Sequence, residues 1–276
     1  MKKFLLQLSL FTFIAYLSIF FIGKLFNYII STQDYNILND PDLKIKKACY
    51  KSKQLKKTKK LIIGDSTGFQ LYGDDNNNNV ISLCTTGAVT MVGHYCLLAK
   101  FLETNQKNLP DEVILIHHPI YWNNVLSGTL AYSCFAKNFY NNDFTQYIEQ
   151  DILDSISNWP YSYLCNQEWY QICPYSVVVN SKFPFGEWTS PQMWNYFNKI
   201  QALCKEYQIK FRLTSGCVRE SFKTKVSDLL KSHKQHTNDS IIVQYLHNII
   251  YMPDEQFIDD AHLKKEYIPK DLFNLY

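Results

Sequence analysis

Residues 61–68 read Leu-Ile-Ile-Gly-Asp-Ser-Thr-Gly, a short apolar run that stops at a cluster of turn-forming residues. An apolar run of this length is typical of a strand that is buried on both faces. The turn that follows would present the hydroxyl of Ser66, with a backbone N–H beside it, at the edge of a sheet. This stretch therefore predicts the first strand of the fold and makes Ser66 a candidate functional residue.

Strands and helices alternate along the rest of the chain. Further strands are predicted at residues 80–84, 113–116, 209–213 and 241–251. Helices are predicted at residues 87–102, 192–207, 222–231 and 263–275. This alternation indicates an α/β fold, a three-layer sandwich with helices on both faces of a mostly parallel central sheet. Residues 121–191, rich in Tyr, Trp, Asn and Ser, are expected to form loops and short helices near a site.

The N-terminal segment has the composition of a membrane helix. Residues 4–23 contain no charged residue and would span about 30 Å as a helix, the thickness of the apolar core of a bilayer. Because residues 21–26 contain no convincing cleavage site, we expect residues 1–30 to form an uncleaved transmembrane anchor. Lys2 and Lys3 favour a cytoplasmic N-terminus, whereas Lys24 and later lysines oppose it. We expect a single-pass membrane protein with its catalytic domain outside the cytoplasm.

Residues 31–60 are polar and carry much of the positive charge of the chain. We expect a stalk or short helical linker here, followed by a folded domain at residues 61–276. The lysines fit a solvated segment or contact with anionic lipid head groups. Nucleic acid is not an expected partner, because the net charge is only +3, arginine is scarce and no aromatic residues are interleaved with these lysines.

The cysteines do not have the Cys-x-x-Cys spacing of a metal site, and several lie in apolar runs. A cysteine in an apolar run acts as a small core residue. We therefore expect buried free thiols at Cys84, Cys96 and Cys204.

Ligands of parallel sheets bind at the carboxyl ends of the strands, and polar residues follow the predicted strands at these ends. The residues in question are Ser66 after the first strand, Gly87 after the second, His117 and His118 after the third, and Asp259 and His262 after the last.

A catalytic triad is predicted from two of these segments. A serine becomes a strong nucleophile when a base takes its proton and a third group orients that base. Asp259 and His262 lie three residues apart, so that the carboxylate could orient the imidazole. The sequence therefore predicts Ser66 as nucleophile, His262 as base and Asp259 as the orienting acid.

Each of these residues also has an ordinary structural explanation. Ser66 could cap the helix after its strand, His262 could be a surface histidine at a helix start, and Asp260 could cap that helix. Asp259 is preferred to Asp260 in the triad on spacing alone.

The adjacent His117 and His118 are a weak candidate for a metal site. Neighbouring residues at a strand end point to opposite faces, so one histidine is expected in the pocket and the other packed against the core. No metal and no cofactor are expected.

The Gly64-Asp65-Ser66 turn and the Asp259…His262 pair near the C-terminus together resemble the SGNH, or GDSL-type, hydrolase superfamily. The resemblance covers the layout of residues 61–276 and a few short blocks in identity. It implies an oxyanion hole built from Ser66 and Gly87, which stabilises the charge of the tetrahedral intermediate. Where the family has Gly-x-Asn after the third strand, this chain has Ile-His-His-Pro. We expect His118 to replace the asparagine, with Asn123 or Asn124 as alternatives.

A membrane helix before such a domain resembles the cell-envelope branch of the superfamily, which includes the D-alanyl transfer protein of teichoic acid synthesis and the alginate O-acetylation proteins. The resemblance implies a serine esterase or O-acyltransferase that passes an acyl group through Ser66 to water or to a sugar hydroxyl of an envelope polysaccharide. The expected partners are the membrane, a carbohydrate or acylated glycan substrate and a membrane-bound acyl-transfer protein.

The sequence also bears on two other functions. A catalytically inactive member of the same fold could bind a glycan or scaffold an assembly enzyme, because the third block lacks its asparagine. The aromatic residues of 121–191 fit stacking on sugar rings, and they fit ordinary core packing equally well. A phosphate-binding protein is disfavoured, because residues 64–68 lack the lysine of a phosphate loop.

Overall fold

The computed structural model describes residues 1–32, 41–73, 76, 77, 79–167, 170, 177–180, 189–236 and 239–269. Of the features singled out in the sequence, residues 33–40 of the basic segment and residues 270–275 of the predicted C-terminal helix lie outside this part of the chain.

Five strands form the central sheet, in the order β2-β3-β1-β4-β5. Their bounds are β1 Lys60–Gly64, β2 Asn76–Asn77, β3 Val80–Cys84, β4 Glu112–Ile116 and β5 Lys210–Thr214. All neighbours pair in parallel except β2, which is a short antiparallel edge strand. Every residue of β3 and β4 is buried, as expected for parallel strands covered on both faces. The predicted α/β class and mostly parallel sheet are confirmed.

Helices occupy most of the connections between strands. Their bounds are α1 Lys2–Thr32, α2 Pro41–Ser52, α3 Ser66–Tyr72, α4 Thr90–Thr104, α5 Gly128–Leu130, α6 Lys137–Phe139, α7 Gln150–Ser157, α8 Pro191–Glu206, α9 Lys223–His236 and α10 Ser240–His247. A π-helix, Ala131–Ala136, joins α5 to α6. The helices predicted at residues 87–102, 192–207 and 222–231 correspond to α4, α8 and α9.

The two faces of the sheet pack against different helices, because successive side chains of a strand point in opposite directions. Leu61 and Ile63 of β1 belong to the main core, which also contains buried residues of α2, α4 and α8. Ile62, between them, packs in a smaller cluster with Phe69 and Tyr72 of α3. Helix α3 therefore starts at the carboxyl end of β1 and folds onto the face opposite the main core.

Residues 41–52 form helix α2, the second of the two alternatives for this segment, and the helix packs on the folded domain instead of standing apart as a stalk. Ile45, Ala48 and Cys49 are buried in the main core. Their spacing places them on one face of the helix, while the lysines occupy the other positions. The Lys51 ammonium also donates to the backbone oxygen of Ser82 in β3, at 3.3 Å. The main core therefore includes residues that precede Leu61.

The strand predicted at residues 241–251 is wrong. Most of this segment is helix α10, whose first turn is capped by Asp239. Only Tyr251–Met252 is extended, and as β7 it pairs with β6, Val218–Arg219, in a separate two-stranded sheet.

The predicted C-terminal helix is also wrong over its described part, where a single 3₁₀ turn, Lys265–Tyr267, forms. Asp259 and His262 therefore lie in an irregular loop after β7, and not at the end of a strand of the central sheet.

Helix α1 is the one helix in the described part of the chain that is long and apolar enough to cross a membrane, over Lys2–Leu25. Most of its large apolar side chains are exposed. These properties are compatible with a single-pass anchor. Cys84, Cys96 and Cys204 are free and buried, which confirms the expectation for these three, whereas Cys173 lies outside the described residues.

Candidate active site

The turn that carries Ser66 has a backbone that only glycine permits. Gly64 has a φ of +152°, and a Cβ atom here would lie 2.0 Å from the backbone oxygen of Ile116 in the neighbouring strand. The chain then enters α3 at Ser66, with Asp65 as the N-cap residue. The capping role considered for Ser66 thus belongs to Asp65, and the Ser66 hydroxyl is available to another partner.

Asp65 is a fully buried carboxylate beneath the nucleophile. One oxygen accepts the N–H and the hydroxyl of Thr67, at 2.8 and 2.7 Å, and the other accepts the N–H of His118 at 2.6 Å. Burial alone would raise the pKa of Asp65, but His117 and these donors hold it below its usual value. The carboxylate therefore ties the end of β1 to the end of β4 and fixes the Ser66 turn.

Ser66, His262 and Asp259 form one chain of hydrogen bonds. The Oγ atom of Ser66 lies 2.8 Å from Nε2 of His262. The Nδ1 atom of the same ring lies 3.0 and 2.9 Å from the two carboxylate oxygens of Asp259. These distances match the arrangement of nucleophile, base and orienting acid in hydrolases that use a serine.

Asp259 shapes its own turn as well as orienting His262. Its Oδ1 atom accepts the backbone N–H groups of Ala261 and His262, at 2.9 and 2.8 Å. Partial burial acts to raise the pKa of Asp259, but these N–H groups and the His262 ring lower it overall. The acid is therefore ionised at neutral pH.

The loop that carries His262 is tied to α3 by one side chain. The Gln70 amide donates to the backbone oxygen of Leu263 at 2.8 Å and accepts the Leu263 N–H at 3.0 Å. Gln70 lies one helical turn after Ser66, and Leu263 follows His262. This reciprocal pair sets the position of the base relative to the nucleophile.

A second contact comes from Arg219, whose guanidinium binds Asp254 at 3.1 Å and Asp260 at 2.9 Å. The idea that Asp260 caps a helix is therefore wrong, since residues 261–264 directly after it are not helical and its side chain forms an ion pair. The choice of Asp259 over Asp260 as the partner of His262 agrees with this geometry.

The two backbone donors predicted for the oxyanion hole belong to residues that each begin a helical turn. Ser66 is the first residue of α3, and Gly87 is the first residue of a 3₁₀ turn, Gly87–Val89. The first N–H groups of a helical turn have no acceptor within that turn, so they are available to an anion.

The structure does not place His118 on the surface of the site. His117 and His118 are both fully buried, so the expectation of one histidine in the pocket is wrong. The Nδ1 atom of His118 accepts the N–H of Ile120 at 3.4 Å, and burial lowers the pKa of His118 to about 4. His118 is thus a neutral side chain folded back onto its own turn.

A cavity of about 280 Å³ opens beside Gly87 and Tyr121. Asn124 lines it, and Asn123 does not. The Asn124 amide donates to the backbone oxygen of Gly87 at 3.4 Å. The remaining lining residues are Thr86, Ala88, Thr90, Val125, Ser127, Leu130 and Ala131. The mixture of hydroxyl, amide and small apolar groups can accommodate a compact organic group next to the nucleophile.

Tyr121 is the residue of the site that sequence reasoning missed. It ends the 3₁₀ turn Pro119–Tyr121, its ring packs against Gly87, and it lines the cavity. In the sequence it is one of many tyrosines in an aromatic-rich segment, and no spacing marks it.

The chain matches no family model, and neither curated proteins nor solved structures provide a similar protein. Within the residues that the structure describes, no group of three or more His, Cys, Asp or Glu side chains is arranged to hold a metal ion.

Proposed function

We propose that this protein is a serine esterase or O-acyltransferase that works through an acyl group on Ser66. The observation that carries the proposal is the chain of hydrogen bonds from the Ser66 Oγ through the His262 ring to the Asp259 carboxylate, with a first distance of 2.8 Å. A serine at the end of a parallel strand has no structural need for such a relay. The geometry is that of an activated nucleophile.

The residues suggest the following sequence of steps. The Ser66 oxygen attacks the carbonyl carbon of an ester while His262 takes the hydroxyl proton, and Asp259 stabilises the imidazolium that forms. The carbonyl electron pair moves onto oxygen, where the N–H groups of Ser66 and Gly87 can donate to it. His262 then gives its proton to the departing alcohol, which leaves an acyl-serine. Water or a sugar hydroxyl, deprotonated by His262, releases the acyl group in the second half.

We further propose the SGNH superfamily and its three-layer architecture for this domain, on the resemblance of Gly64-Asp65-Ser66 and of the Asp259…His262 pair. This resemblance also supports an envelope polysaccharide as substrate, a membrane-bound protein as acyl donor and an extracytoplasmic location for the domain.

The position of α2 supports a substrate near the membrane. The Lys44 ammonium of α2 lies 4.5 Å from the ring centre of Phe69, three residues after Ser66 in α3. Residues 33–40 join α2 to α1, and a chain of that length spans at most about 30 Å. The start of α2 therefore lies within that distance of the end of α1.

Labelling with a fluorophosphonate, which reacts with activated serines, tests the proposal on the full chain in detergent. We expect wild type to be labelled, and we expect Ser66→Ala and His262→Ala to lose the label. Ser133→Ala, which removes an exposed hydroxyl, serves as the matched control and should be labelled like wild type. Folding of each variant is checked by thermal unfolding.

An unlabelled wild type that unfolds cooperatively would contradict the enzymatic function and favour a glycan-binding or scaffold role. Labelling that survives Ser66→Ala would place the nucleophile elsewhere.

A further inference from the structure

We propose that the cavity beside Gly87 is the subsite for the acyl group, and that it accepts short acyl groups and excludes the long chains of lipids. The inference rests on the proposed function, because it names the class of acyl group that Ser66 would carry.

The cavity lies at the carboxyl end of the central sheet. Residues 86–90, which follow β3, form one part of its wall, and residues within 121–131, which follow β4, form the rest. Strand β1, which ends at the turn of Ser66, lies between β3 and β4 in the sheet. The cavity is therefore next to the nucleophile, where parallel sheets bind their ligands.

Both parts of the wall are attached to the turn that carries Ser66. The N–H of Thr85, just before the first part, donates to the backbone oxygen of Gly64 at 2.8 Å. The N–H of His118, shortly before the second part, donates to the Asp65 carboxylate at 2.6 Å. These two hydrogen bonds fix the position of the cavity relative to the nucleophile.

The cavity and the base lie on opposite sides of the nucleophile. Gln70 of α3 holds the loop of His262, and α3 packs on the face of the sheet opposite the main core. The cavity lies on the side of the main core, because Thr90 is the first residue of α4 and Ala131 belongs to that core. The described residues that line the cavity include none of residues 257–263.

This arrangement decides which half of an ester enters the cavity. The departing alcohol takes its proton from His262, and the accepting hydroxyl gives its proton to the same ring, so both must lie on the side of the base. The carbonyl oxygen lies at the N–H groups of the oxyanion hole. The third substituent of the carbonyl carbon is the acyl chain, which then points away from His262 and into the cavity.

The size of the cavity limits the length of the acyl chain. Its volume of about 280 Å³ is below the roughly 300–1,000 Å³ of pockets for drug-sized ligands. A sphere of this volume is only about 8 Å across, whereas a lipid chain extends about 15 Å, half the thickness of the apolar core of a bilayer. Thr90, Val125 and Ala131 in the wall are buried, so the space ends at the core of the domain.

The test measures kcat/KM of the full chain in detergent for p-nitrophenyl esters that carry acetyl, butyryl or octanoyl groups. We expect wild type to prefer the acetyl and butyryl esters to the octanoyl ester by about 10-fold or more. A wild type that prefers the octanoyl ester would overturn the size limit.

Two variants change the cavity in opposite directions. Val125→Ala should widen it and raise kcat/KM for the octanoyl ester relative to the acetyl ester about 10-fold. Ala131→Val should narrow it and lower kcat/KM for the butyryl ester relative to the acetyl ester by a similar factor. Val178→Ala removes an exposed side chain that does not line the cavity, and this matched control should keep the wild-type profile. Thermal unfolding checks each variant, and Val125→Ala decides alone where Ala131→Val fails to fold.

A change of leaving group distinguishes the acyl half of the ester from the alcohol half. With 4-methylumbelliferyl esters in place of p-nitrophenyl esters, the effects of both variants should be the same. Effects that follow the alcohol instead, or an unchanged chain-length profile in a Val125→Ala variant that takes the fluorophosphonate label, would overturn the acyl subsite and leave the proposed function intact. A wild type that hydrolyses none of the esters and takes no label would overturn the proposed function and the subsite with it.

Discussion

The proposed nucleophile and its proposed base are positioned by two very different parts of the molecule. Ser66 stands on a turn whose central carboxylate, Asp65, is fully buried and accepts three hydrogen bonds from Thr67 and His118. His262 stands in an irregular loop, where its partner Asp259 has a side chain that is 55% exposed.

The loop is fixed by few contacts. A small apolar cluster of Cys217, Phe257 and Leu263 lies beneath it, and Gln70 and Arg219 attach it to the rest of the domain. The nucleophile is thus placed by the core of the fold, and the base by a few contacts between distant segments. Substitutions in the Ser66 turn should therefore mainly lower stability, and substitutions in the His262 loop should mainly lower activity.

The largest expected effect compares the two carboxylates. Asp65→Asn should lower the free energy of unfolding by about 3 kcal/mol or more, because the new NH₂ group must face buried donors. Asp259→Asn should change it by less than about 1 kcal/mol, yet lower kcat about 10³- to 10⁴-fold, because the neutral amide lacks the charge that stabilises the imidazolium and its NH₂ group favours the wrong tautomer of the ring. Urea unfolding and ester hydrolysis of both variants measure the two effects. Similar stability losses in both would remove the distinction between the regions.

The second prediction concerns the buried histidines beneath the Ser66 turn. Burial lowers the pKa of His94 to about 3, and within the described residues neither of its ring nitrogens has a hydrogen-bond partner. Burial also lowers the pKa of His117 and His118. The unfolded chain therefore binds protons below about pH 6.5 that the folded chain does not bind. Stability should fall as the pH decreases through this window, by about 1.4 kcal/mol per pH unit for each such histidine.

His94→Phe tests this assignment. The variant keeps an aromatic ring in the core and removes one proton-binding site, so its unfolding free energy should depend less steeply on pH between about 6.5 and 4. Urea unfolding at several pH values measures the slope. Parallel slopes for wild type and variant would show that His94 does not contribute to the acid sensitivity.

The contrast between the regions also explains what could be predicted from the sequence. The β1 turn was predictable because its features are local: an apolar run, a glycine and a serine in direct succession. The pairing of Asp259 with His262 was likewise predicted by a spacing of three residues. The placement of their loop was not, because it depends on Gln70 and Arg219, which are remote in sequence and carry no motif.

In two segments the residue composition favours the wrong structure, whereas the spacing of the apolar residues fits the observed helix. Residues 241–251 are rich in β-branched residues, which favour strands, yet Ile242, Tyr245 and Leu246 are spaced as one helical face, and they are buried in α10. The lysines of α2 give this segment the composition of an exposed linker, although Ile45, Ala48 and Cys49 are spaced as one buried face of a helix. Tyr121 had no local signal at all, because its position in the cavity depends on the packing of its ring against Gly87.

A smaller loss of activity is expected at Gln70, where the comparison is sharpest. Gln70→Ala removes both hydrogen bonds to the backbone of Leu263, which are partly exposed, so the free energy of unfolding should fall by only about 1 kcal/mol. The base would lose its attachment to the helix of the nucleophile, and a displacement of about 1 Å is enough to lower kcat up to 10²-fold. Gln150→Ala, which removes an exposed contact to Asp154, is the matched control and should keep full activity.

The outcome for Gln70→Ala depends on whether the base is positioned across the two regions or within its own loop. Restoration of activity by Gln70→Glu is not expected, because a carboxylate cannot donate to the Leu263 oxygen and would repel it. A Gln70→Ala variant with wild-type kcat would show that the Asp259 turn and its apolar cluster position His262 without help from α3. The contacts of the loop itself would then be enough to position His262, as those of the turn are for Ser66.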